Sequence, residues 1–518
     1  MPPTPVIDLF SGPGGLGEGF SSLDDGRAFR IVVSAEMEPS ARETLRLRSF
    51  YRLLRRHQGA VGSYYRYCNG EAATPYDESN KKLWEQAESE AQQLTLGNAR
   101  DNAILDHLLD DRLKSDDECV LIGGPPCQAY SLAGRSRNAG IPEYLPENDP
   151  RHFLYREYLR IIQTRQPAVF VMENVKGILS SSVGGRQIFQ DILRDLSNPG
   201  AALEPACPSK RYRIHSLVKA NHFEEGMDLE SFDPRDFIIR AEKYGIPQAR
   251  HRVILLGIRE DISGRFEGLQ EEDNVSVKDV ITELPKLRSR ISRRKDTGME
   301  WGVLVRNLMS RLAEEATLKK QTELADTLRE SAALVNENLT FGSLRIPLQN
   351  ALSNDGILSW YHDANLKVWL NHEARSHMPS DLGRYGYAAA YAKAFGVCPK
   401  GHEQFSLDGL RPNHENWETG KFADRFKVQR WNSPSTTITS HISKDGHYFI
   451  HPDPAQCRSL TVREAARLQT FPDNYFFMGN RTQQYHQVGN AVPPLLAYKI
   501  ARIVREILHG NATGHELQ

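Results

Sequence analysis

Short apolar runs alternate with segments of helical period along the chain up to about residue 260. The runs predict β-strands at residues 5–10, 30–34, 119–122, 168–172 and 252–258. Strands that alternate with helices in this way are typical of a mostly parallel sheet with helices on its faces. We therefore expect an α/β fold in this part of the chain.

The rest of the pattern divides the chain further. Residues 50–118 interrupt the alternation as an insertion, in which a charged stretch at 80–114 is predicted to be helical. After residue 260 the pattern loosens; a helix is predicted over 303–335, and Pro493 and Pro494 precede an amphipathic C-terminal helix. These changes predict a first domain at 1–265, completed by 485–518, and a smaller second domain at 266–484.

Composition narrows the class of protein. The chain has 518 residues, more than one hydrophobic core usually supports, and no apolar run approaches the roughly 18 residues that cross a bilayer. The first residues lack the basic and apolar regions of a secretion signal, and the six cysteines include no Cys-x-x-Cys pair. These features predict a cytoplasmic protein without membrane insertion, a disulfide framework or a four-cysteine zinc site.

Charge is concentrated locally although the net charge is only −1. Six of the ten residues from Lys286 to Lys295 are basic, and a second basic group runs from Arg42 to Arg56. Either cluster fits a solvated face as well as a nucleic-acid surface. Charge alone therefore leaves nucleic-acid binding open.

The segment Gly-Gly-Pro-Pro-Cys-Gln at residues 123–128 follows a predicted strand and presents a cysteine. Pro126 fixes its own φ and favours extended geometry at Pro125, so few loop conformations remain for Cys127. Strand exits are where α/β folds keep their active sites, which favours a nucleophile. A buried structural cysteine is the alternative interpretation.

The first predicted strand runs into Asp-Leu-Phe-Ser-Gly-Pro-Gly-Gly-Leu-Gly at residues 8–17, a loop suited to close approach of a nucleotide-type cofactor. Glu36 ends the next strand and is placed to accept hydrogen bonds from ribose hydroxyls. The loop alone does not separate NAD from S-adenosylmethionine, and a simple glycine turn is a further alternative.

Three charged residues complete the candidate site. Glu173 follows the fourth predicted strand, on what should be the same sheet edge as Cys127. Arg250 and Arg252 precede and enter the fifth strand, and their spacing directs both to one face if the segment is extended. Each is more often a surface ion-pair member when taken alone, whereas the set together favours a catalytic site.

Six motifs in this order resemble those of the DNA cytosine-5 methyltransferase family. They are Asp-Leu-Phe-Ser-Gly-x-Gly-Gly from residue 8, Gly-Gly-Pro-Pro-Cys-Gln-x-x-Ser from 123, Glu-Asn-Val from 173, Gln-x-Arg-x-Arg from 248, Arg-Glu-Ala-Ala-Arg-Leu-Gln-x-Phe-Pro from 463 and Gln-Val-Gly-Asn-Ala-Val-Pro-Pro from 487. The resemblance implies a Rossmann-like, S-adenosylmethionine-dependent methyltransferase domain and a smaller, variable target-recognition domain at 266–484.

The resemblance also implies a mechanism and its residues. The Cys127 thiolate adds to C6 of cytosine, Glu173 contacts N3 and the exocyclic amine, Arg252 contacts O2, and Arg250 supports the catalytic loop. Because a free thiol is mostly protonated at neutral pH, we expect nearby positive charge to favour the thiolate. The base that removes the C5 proton is not identified by the sequence.

For the cofactor, the family motifs imply binding of S-adenosylmethionine by residues of the first loop, the second strand, the cysteine loop and the C-terminal motif: Phe10, Ser11, Gly12, Gly14, Gly15, Leu16, Glu36, Pro126, Asn490, Ala491 and Val492. The Asp that the family usually places at the adenine amine has no clear match, and Asn98 and Asp101 are ambiguous candidates. Ala129 and Tyr130 stand where many members have Gly-Phe, a change that keeps a small and an aromatic residue.

The family's substrate is double-stranded DNA, from which such an enzyme must flip its target base. We therefore hypothesise that Arg290, Arg293 and Arg294 contact phosphates. The expected context is a monomer on DNA in the bacterial cytoplasm, nucleoid-associated when bound, with a restriction endonuclease, other phage-defence proteins or no partner. No metal is expected, because His372 and His377 are five residues apart and do not share a helix face as zinc ligands do.

Three other functions are open at this point. An RNA cytosine methyltransferase would use the same chemistry, but the Cys-Phe-Thr signature of the tRNA-directed branch is absent. A catalytically inactive DNA-binding homologue would be expected to have lost Cys127, Glu173 or Arg252, all of which are present. An NAD enzyme would leave the cysteine loop unexplained.

Overall fold

A nine-stranded mixed sheet organises the first half of the chain, in a computed structural model that describes residues 2–57, 61–114, 118–126, 154–183, 186–203, 206, 208–229, 232–293, 295–349, 353–412 and 424–509. Its strands are β1 (Thr4–Leu9), β2 (Phe29–Glu36), β3 (Ala91–Gln93), β4 (Val120–Gly123), β5 (Val169–Val175), β8 (Tyr212–His215), β9 (His222–Phe223), β10 (Ile238–Arg240) and β12 (His251–Arg259). The five predicted strands are confirmed to within a few residues. The α/β fold is confirmed with them.

The order of the strands is β3-β2-β1-β4-β5-β12-β8-β9, with β10 also paired to β12. Strands β3 to β5 in this order are parallel, whereas β12 is antiparallel to β5 and to β8. Strands β2 and β3 lie on one side of β1, and β4 and β5 lie on the other, so the strand order switches direction between β1 and β4. This is the point where open α/β sheets bind ligands. This is a Rossmann-like arrangement.

Alternate residues of each strand face opposite sides of the sheet and fill two apolar cores. On one side, Ile7, Leu121 and Phe170 pack in one core. On the other side, Val6 and Ile254 pack against the C-terminal helix. Because both faces are covered, the central strands are mostly apolar, and the charged residues Asp8 and Glu173 lie near the carboxyl ends of β1 and β5.

Helices of the first part of the chain are α1 (Gly15–Ser22), α2 (Pro39–Arg56), α3 (Gly62–Cys68), α4 (Lys81–Glu90), α5 (Ala99–Arg112), α6 (Leu154–Arg165), α7 (Ile188–Ser197) and α8 (Pro199–Ala202). The 3-10 helices are Leu23–Gly26, Lys176–Ser180, Pro234–Phe237 and Ala241–Tyr244, and a small separate hairpin joins β6 (Ser182–Val183) to β7 (Arg186–Gln187). Residues 80–114, predicted to be helical throughout, instead form α4, the edge strand β3 and α5. That prediction is wrong for the middle of the segment, because β3 completes the sheet beside β2.

Residues after 260 form helices and short two-stranded sheets. The helices are α9 (Val277–Ile281), α10 (Gly298–Leu318), α11 (Thr322–Ala333), α12 (Leu358–Tyr361), α13 (Pro379–Phe395), α14 (Gly401–Gln404), the 3-10 helix Ser440–Ser443, α15 (Val462–Leu468), α16 (Arg481–Asn490) and α17 (Pro494–His509). The strand pairs are β11 (Gln248–Ala249) with β17 (Ser435–Thr436), β13 (Arg290–Ile291) with β16 (Ser376–His377), and β14 (Gly342–Pro347) with β15 (Val368–Glu373).

The single helix predicted over 303–335 is also wrong, since α10 and α11 form an antiparallel pair. The break falls at Lys320, whose φ of 58° lies in the left-handed region. Arg306 of α10 donates to the carbonyl of Val335 beyond the end of α11, which closes the pair at its other end. The predicted C-terminal helix is confirmed as α17, which packs on α1 so closely that a Cβ at Gly19 would lie 2.4 Å from Cβ of Ala497.

The insertion joins the first part of the chain to the β14–β15 hairpin. Arginines of α2 pair with glutamates of α4, as in the 2.7 Å contact of Arg46 with Glu88. Arg345 of β14 donates to the carbonyls of Tyr67 and Cys68 at 3.0 and 2.8 Å. Most arginines of the basic group from Arg42 to Arg56 thus contact carboxylates or carbonyls of the protein itself.

Among the described residues after 370, four histidines are buried: His372, His377, His447 and His451. Burial lowers the pKa of each, to about 4 for His372, whose ring nitrogens lie 2.8 Å from Oγ1 of Thr461 and 2.9 Å from the carbonyl oxygen of Pro285. His372 lies on β15 and His377 lies on β16, so neither histidine is on a helix.

We expect the folded state to lose stability when the pH falls from 7.5 to 5. The unfolded state takes up protons below its ordinary histidine pKa of about 6.5, whereas folded His372 resists protonation, so this group alone removes about 2 kcal/mol. Urea unfolding at both pH values measures the loss. His372→Gln should show a loss smaller by that amount, while the exposed control His402→Gln should match the wild type; equal losses in all three proteins would contradict the assignment.

No helix among the described residues is both long and apolar enough to span a bilayer.

Candidate functional site

The register of the sheet brings the sequence motifs to one edge. Leu9 pairs with Ala35 on one side and with Gly123 on the other, and Gly123 pairs with Met172. The residues that follow these positions are the glycine loop, Glu36, the cysteine loop and Glu173. The strands that lead to these residues therefore end at one edge of the sheet.

The glycine loop between β1 and α1 contains three left-handed residues, with φ of 54° at Phe10, 55° at Gly12 and 94° at Gly14. A Cβ at Gly12 would meet no atom within 4 Å, so open space lies beside the backbone there. At Gly15 the same atom would lie 2.1 Å from the carbonyl oxygen of Val492. The loop thus faces open space on one side and packs tightly on the C-terminal motif on the other, while Leu16 is buried.

Glu36 ends β2 beside this loop. Its carboxylate accepts hydrogen bonds from the backbone N–H groups of Gly12 at 2.8 Å and Glu38 at 2.9 Å. Burial raises the pKa of Glu36, opposed by these backbone donors. A carboxylate fixed against the loop that borders the open space is placed to receive hydroxyl groups of a nucleoside.

Asp8 lies in β1 directly before the loop and is fully buried. Burial raises the pKa of its carboxyl to about 8, against smaller lowering by Ser11 and Arg52. The Ser11 hydroxyl donates to the main-chain carbonyl of Asp8 at 2.8 Å, which helps to fix the turn.

The cysteine loop is described as far as Pro126; Cys127 lies outside the described residues, as do Ala129 and Tyr130. Asn174 Nδ2 donates to the carbonyl of Pro125 at 3.3 Å. A Cβ at Gly124 would lie 3.1 Å from Oε2 of Glu173. The start of the loop therefore passes directly beside the candidate carboxylate.

Glu173 and Arg252 form the charged pair of the site. Glu173 lies inside β5, not after it as predicted, because the strand continues to Val175 in contact with β12. Nε of Arg252 lies 2.9 Å from Oε1 of Glu173, and the two side chains are 16% and 14% exposed. The carboxylate and the guanidinium therefore contact each other, and each remains slightly exposed.

The Arg250 side chain has a different environment from that of Arg252. Its guanidinium is buried and donates to the carbonyl of Ile438 at 2.9 Å and of Gly489 at 3.5 Å. Burial, with the nearby charge of Arg252, lowers the pKa of Arg250 well below its usual range. This environment fits support of surrounding backbone better than contact with a substrate.

Two buried glutamines link three of the motifs. Gln248 donates to the carbonyl of Leu468 at 3.0 Å and accepts from the N–H of Ile438 at 2.8 Å. Gln469 contacts Gln248 at 2.9 Å and donates to the carbonyl of Val488 at 2.7 Å. The segment that precedes Asn490, Ala491 and Val492 is thereby held against the strand that leads to Arg252.

The C-terminal residues assigned to the cofactor differ in exposure. Ala491 and Val492 are buried, whereas Asn490 is exposed, with its Nδ2 3.2 Å from Nδ1 of His486. The structure brings Val492 to the glycine loop through Gly15. The ambiguous adenine candidates lie after β3: Asn98 caps α5, and Asp101 accepts from the N–H of Thr95 at 2.8 Å.

The basic run forms β13 and the turn after it. Arg290 is 43% exposed, contacts Asp296 at 3.3 Å and has its guanidinium carbon 4.6 Å from the centre of the Phe341 ring. Arg288 is buried against Asp296 at 2.6 Å. Arg293 is exposed with φ of 62°, and Arg294 lies outside the described residues.

Sequence reasoning missed the roles of Asn174, Gln248 and Gln469, which hold the loops in place. All three lie inside the matched motifs, so the motifs themselves were the available signal. Among the residues that the structure covers, no group of three or more His, Cys, Asp or Glu side chains is arranged to hold a metal ion.

Comparison with known proteins gives consistent matches. A family model described as C-5 cytosine-specific DNA methylase matches residues 69–506. The type II methyltransferase M.Bpa9945I of Bacillus paralicheniformis is 33% identical, over 98% of this chain and 99% of the relative. The DNA (cytosine-5-)-methyltransferase M.ApeKI of Aeropyrum pernix is 28% identical, over 97% and 98%.

The solved structures agree on the fold. A prophage-encoded E. coli protein, described as a DNA modification methyltransferase, aligns with a TM-score of 0.54 at 19% identity. The alignment covers 98% of this chain and 99% of that protein. At this identity the likeness supports the methyltransferase-type α/β fold and nothing finer.

Proposed function

The chain belongs to the C-5 cytosine-specific DNA methylase family, and we propose that it transfers a methyl group from S-adenosylmethionine to C5 of cytosine in a specific double-stranded DNA sequence. The observation that carries the proposal is the contact of Glu173 with Arg252 beside the loop that leads to Cys127. That arrangement supplies an acid or hydrogen-bonding group and a cation next to the proposed nucleophile.

The glycine loop fits S-adenosylmethionine. Open space at Gly12 leaves room for a ligand against the backbone, and the Glu36 carboxylate is fixed beside it for ribose hydroxyls. We assign the cofactor to the residues of the loop and its surroundings: Phe10, Ser11, Gly12, Gly14, Gly15, Leu16, Glu36, Pro126, Asn490, Ala491 and Val492. When bound, S-adenosylmethionine supplies an electrophilic methyl group on its sulfonium.

The protein's own residues prepare the base, because C5 of cytosine is too weak a nucleophile to accept that methyl group unaided. In the proposed mechanism the Cys127 thiolate forms a bond to C6 and the electron pair of the C5–C6 double bond moves toward C5. Glu173 stabilises the ring protonated at N3 and contacts the exocyclic amine, while Arg252 holds O2. Once C5 has taken the methyl group that S-adenosylmethionine would supply, loss of the C5 proton to a base releases Cys127 by elimination, which leaves 5-methylcytosine and S-adenosylhomocysteine.

A base stacked inside a duplex does not reach such a pocket, so the proposal includes base flipping at a cost of a few kcal/mol. Arg250 acts in it as a support, since its guanidinium holds the carbonyls of Ile438 and Gly489. We keep the division into a catalytic domain at 1–265 and 485–518 and a recognition domain at 266–484 as part of this proposal.

The names of the relatives favour a restriction-modification context. M.Bpa9945I and M.AgeI of Thalassovita gelatinovora, 25% identical to this chain, are type II methyltransferases. We propose that this chain acts on DNA in the cytoplasm as a monomer and protects sites from a cognate endonuclease.

Methyl transfer to defined substrates tests the function. With tritiated S-adenosylmethionine, we expect incorporation into duplex DNA and none into tRNA, and nucleoside chromatography should identify 5-methylcytosine. Bisulfite sequencing of DNA from expressing cells should then show one recognition sequence. Incorporation into tRNA alone would favour the RNA enzyme, and incorporation into neither substrate would favour an inactive DNA-binding homologue.

The basic turn provides a separate test of DNA binding. Replacing Arg290, Arg293 and Arg294 by glutamine should weaken DNA binding and flatten its dependence on salt, by about one unit of slope for each phosphate that is no longer neutralised. Arg290 should contribute least, because it already contacts Asp296. Binding isotherms from about 50 to 300 mM salt measure the slope.

Lys320→Gln is the matched control, since Lys320 is also an exposed cation in the left-handed region. It should leave the salt slope unchanged. A triple variant with wild-type affinity and slope would remove these arginines from the DNA interface.

A further inference from the structure

We propose that Tyr475 is a positioning residue that holds the glycine loop in its cofactor-binding conformation; this inference rests on the proposed use of S-adenosylmethionine. Tyr475 lies outside every motif that carried the family resemblance. It is 462 residues from its partner in the loop, so sequence patterns give no sign of the contact.

The hydroxyl of Tyr475 supports the loop from inside the protein. It donates to the main-chain carbonyl of Pro13 at 2.5 Å. A Cβ at Gly14 would lie only 3.0 Å from the same oxygen, so the hydroxyl also leaves little room for a side chain at the next residue of the loop. These residues connect Gly12, which borders the open space, to the first turn of α1.

Tyr475 is itself rigidly held. Its carbonyl accepts a hydrogen bond from Arg463 at 2.7 Å, and its N–H donates to the carbonyl of Pro472 at 2.9 Å. The ring packs against Phe471 and Phe477, with centroid distances of 4.8 and 5.4 Å. The side chain is 1% exposed, and burial raises its pKa, so the hydroxyl keeps its proton over the working pH range.

The same part of the chain also fixes α1 through a buried ion pair. Arg48 of α2 contacts both carboxylate oxygens of Glu18, at 2.5 and 2.8 Å, and donates to Oδ1 of Asn474 at 3.0 Å. Its guanidinium carbon lies 4.9 Å from the centre of the Tyr475 ring. Tyr475 therefore holds the loop at Pro13, and Asn474 holds Arg48, which pairs with Glu18 of α1.

Removing the hydroxyl should affect the cofactor and not the base. In Tyr475→Phe the carbonyl of Pro13 loses its donor while the ring packing stays. We expect the Kd and KM for S-adenosylmethionine to rise about five- to tenfold, as for loss of one hydrogen bond, with kcat and the KM for DNA within about twofold. Calorimetry and steady-state kinetics measure these values.

Tyr485→Phe is the matched control. Tyr485 is equally buried and its hydroxyl donates to the carbonyl of Leu460 at 2.6 Å, away from the loop. It should leave the affinity for the cofactor unchanged. The rise in melting temperature on adding S-adenosylmethionine serves as a second readout, because it compares each variant with itself and tolerates lower stability; it should shrink only in Tyr475→Phe.

Equal cofactor affinities in the two variants, whether both raised or both unchanged, would overturn the positioning role. So would a fall in kcat with unchanged KM for the cofactor. Failure of the wild type itself to bind S-adenosylmethionine is a different outcome, because it would overturn the proposed function.

Discussion

Cys127→Ala should abolish methyl transfer while the protein still binds cofactor and DNA. If the thiolate must add to C6 before C5 accepts a methyl group, no other side chain replaces it, and the rate should fall on the order of 10⁴-fold or more. Cofactor affinity should stay within about threefold, because the contacts at Gly12 and Glu36 are made by other segments. Radiolabelled transfer and calorimetry on the same preparation give both values.

A covalent complex gives a sharper readout of the same bond. With 5-fluorocytosine at the target position, methylation leaves no proton at C5, so elimination cannot release the cysteine and the adduct accumulates. Wild-type protein should form a complex with such DNA that survives denaturing electrophoresis, and Cys127→Ala should form none. Cys398→Ala, which removes a half-buried thiol in contact with the carbonyl of Val428, is the control and should behave as wild type. If Cys127→Ala also formed an adduct, Cys127 would not be the nucleophile.

The parts of the site that follow a strand were predictable because their signals are local. The glycine loop, Glu36 and the cysteine loop each adjoin an apolar run, and parallel pairing brings the ends of such runs to one edge. Glu173 was predicted to follow the fourth strand, but β5 continues to Val175 because Glu173, Asn174 and Val175 pair with β12. Here pairing with a neighbouring strand outweighs the local pattern.

Other features depend on contacts between distant segments. The three-residue strand β3 is hidden in a charged, helix-like stretch and exists because β2 offers it an edge. The break at Lys320 has no glycine or proline to mark it. Arg250 and Arg252 share a motif and a spacing, yet one guanidinium faces buried carbonyls and the other Glu173, because Ile438 and Gly489 lie beside the first. Nothing local to the motif specifies those neighbours.

Glu173→Gln should lower kcat about 10²- to 10³-fold with little change in affinity for S-adenosylmethionine. The amide keeps the size of the side chain, but it does not carry a proton to N3. It also does not pair by charge with Arg252, whose Nε lies 2.9 Å from the carboxylate in the wild type. Single-turnover methylation at saturating DNA measures the chemical step. Glu242→Gln is the control, because Glu242 contacts His251 at 2.7 Å on the neighbouring segment and should leave kcat within about threefold.

A modified base separates a chemical role of Glu173 from a structural one. Pyrimidin-2-one lacks the exocyclic amine and has a more electrophilic C6, so a thiolate adds to it with less help from protonation at N3. If Glu173 acts on the ring and the amine, the difference between wild type and Glu173→Gln in adduct formation should shrink at least tenfold on DNA that carries this base. If Glu173 only holds Arg252 and the loop at Gly124, the deficit should be the same for both bases. An undiminished deficit would therefore assign Glu173 to the architecture of the pocket and leave activation of the cytosine to another group.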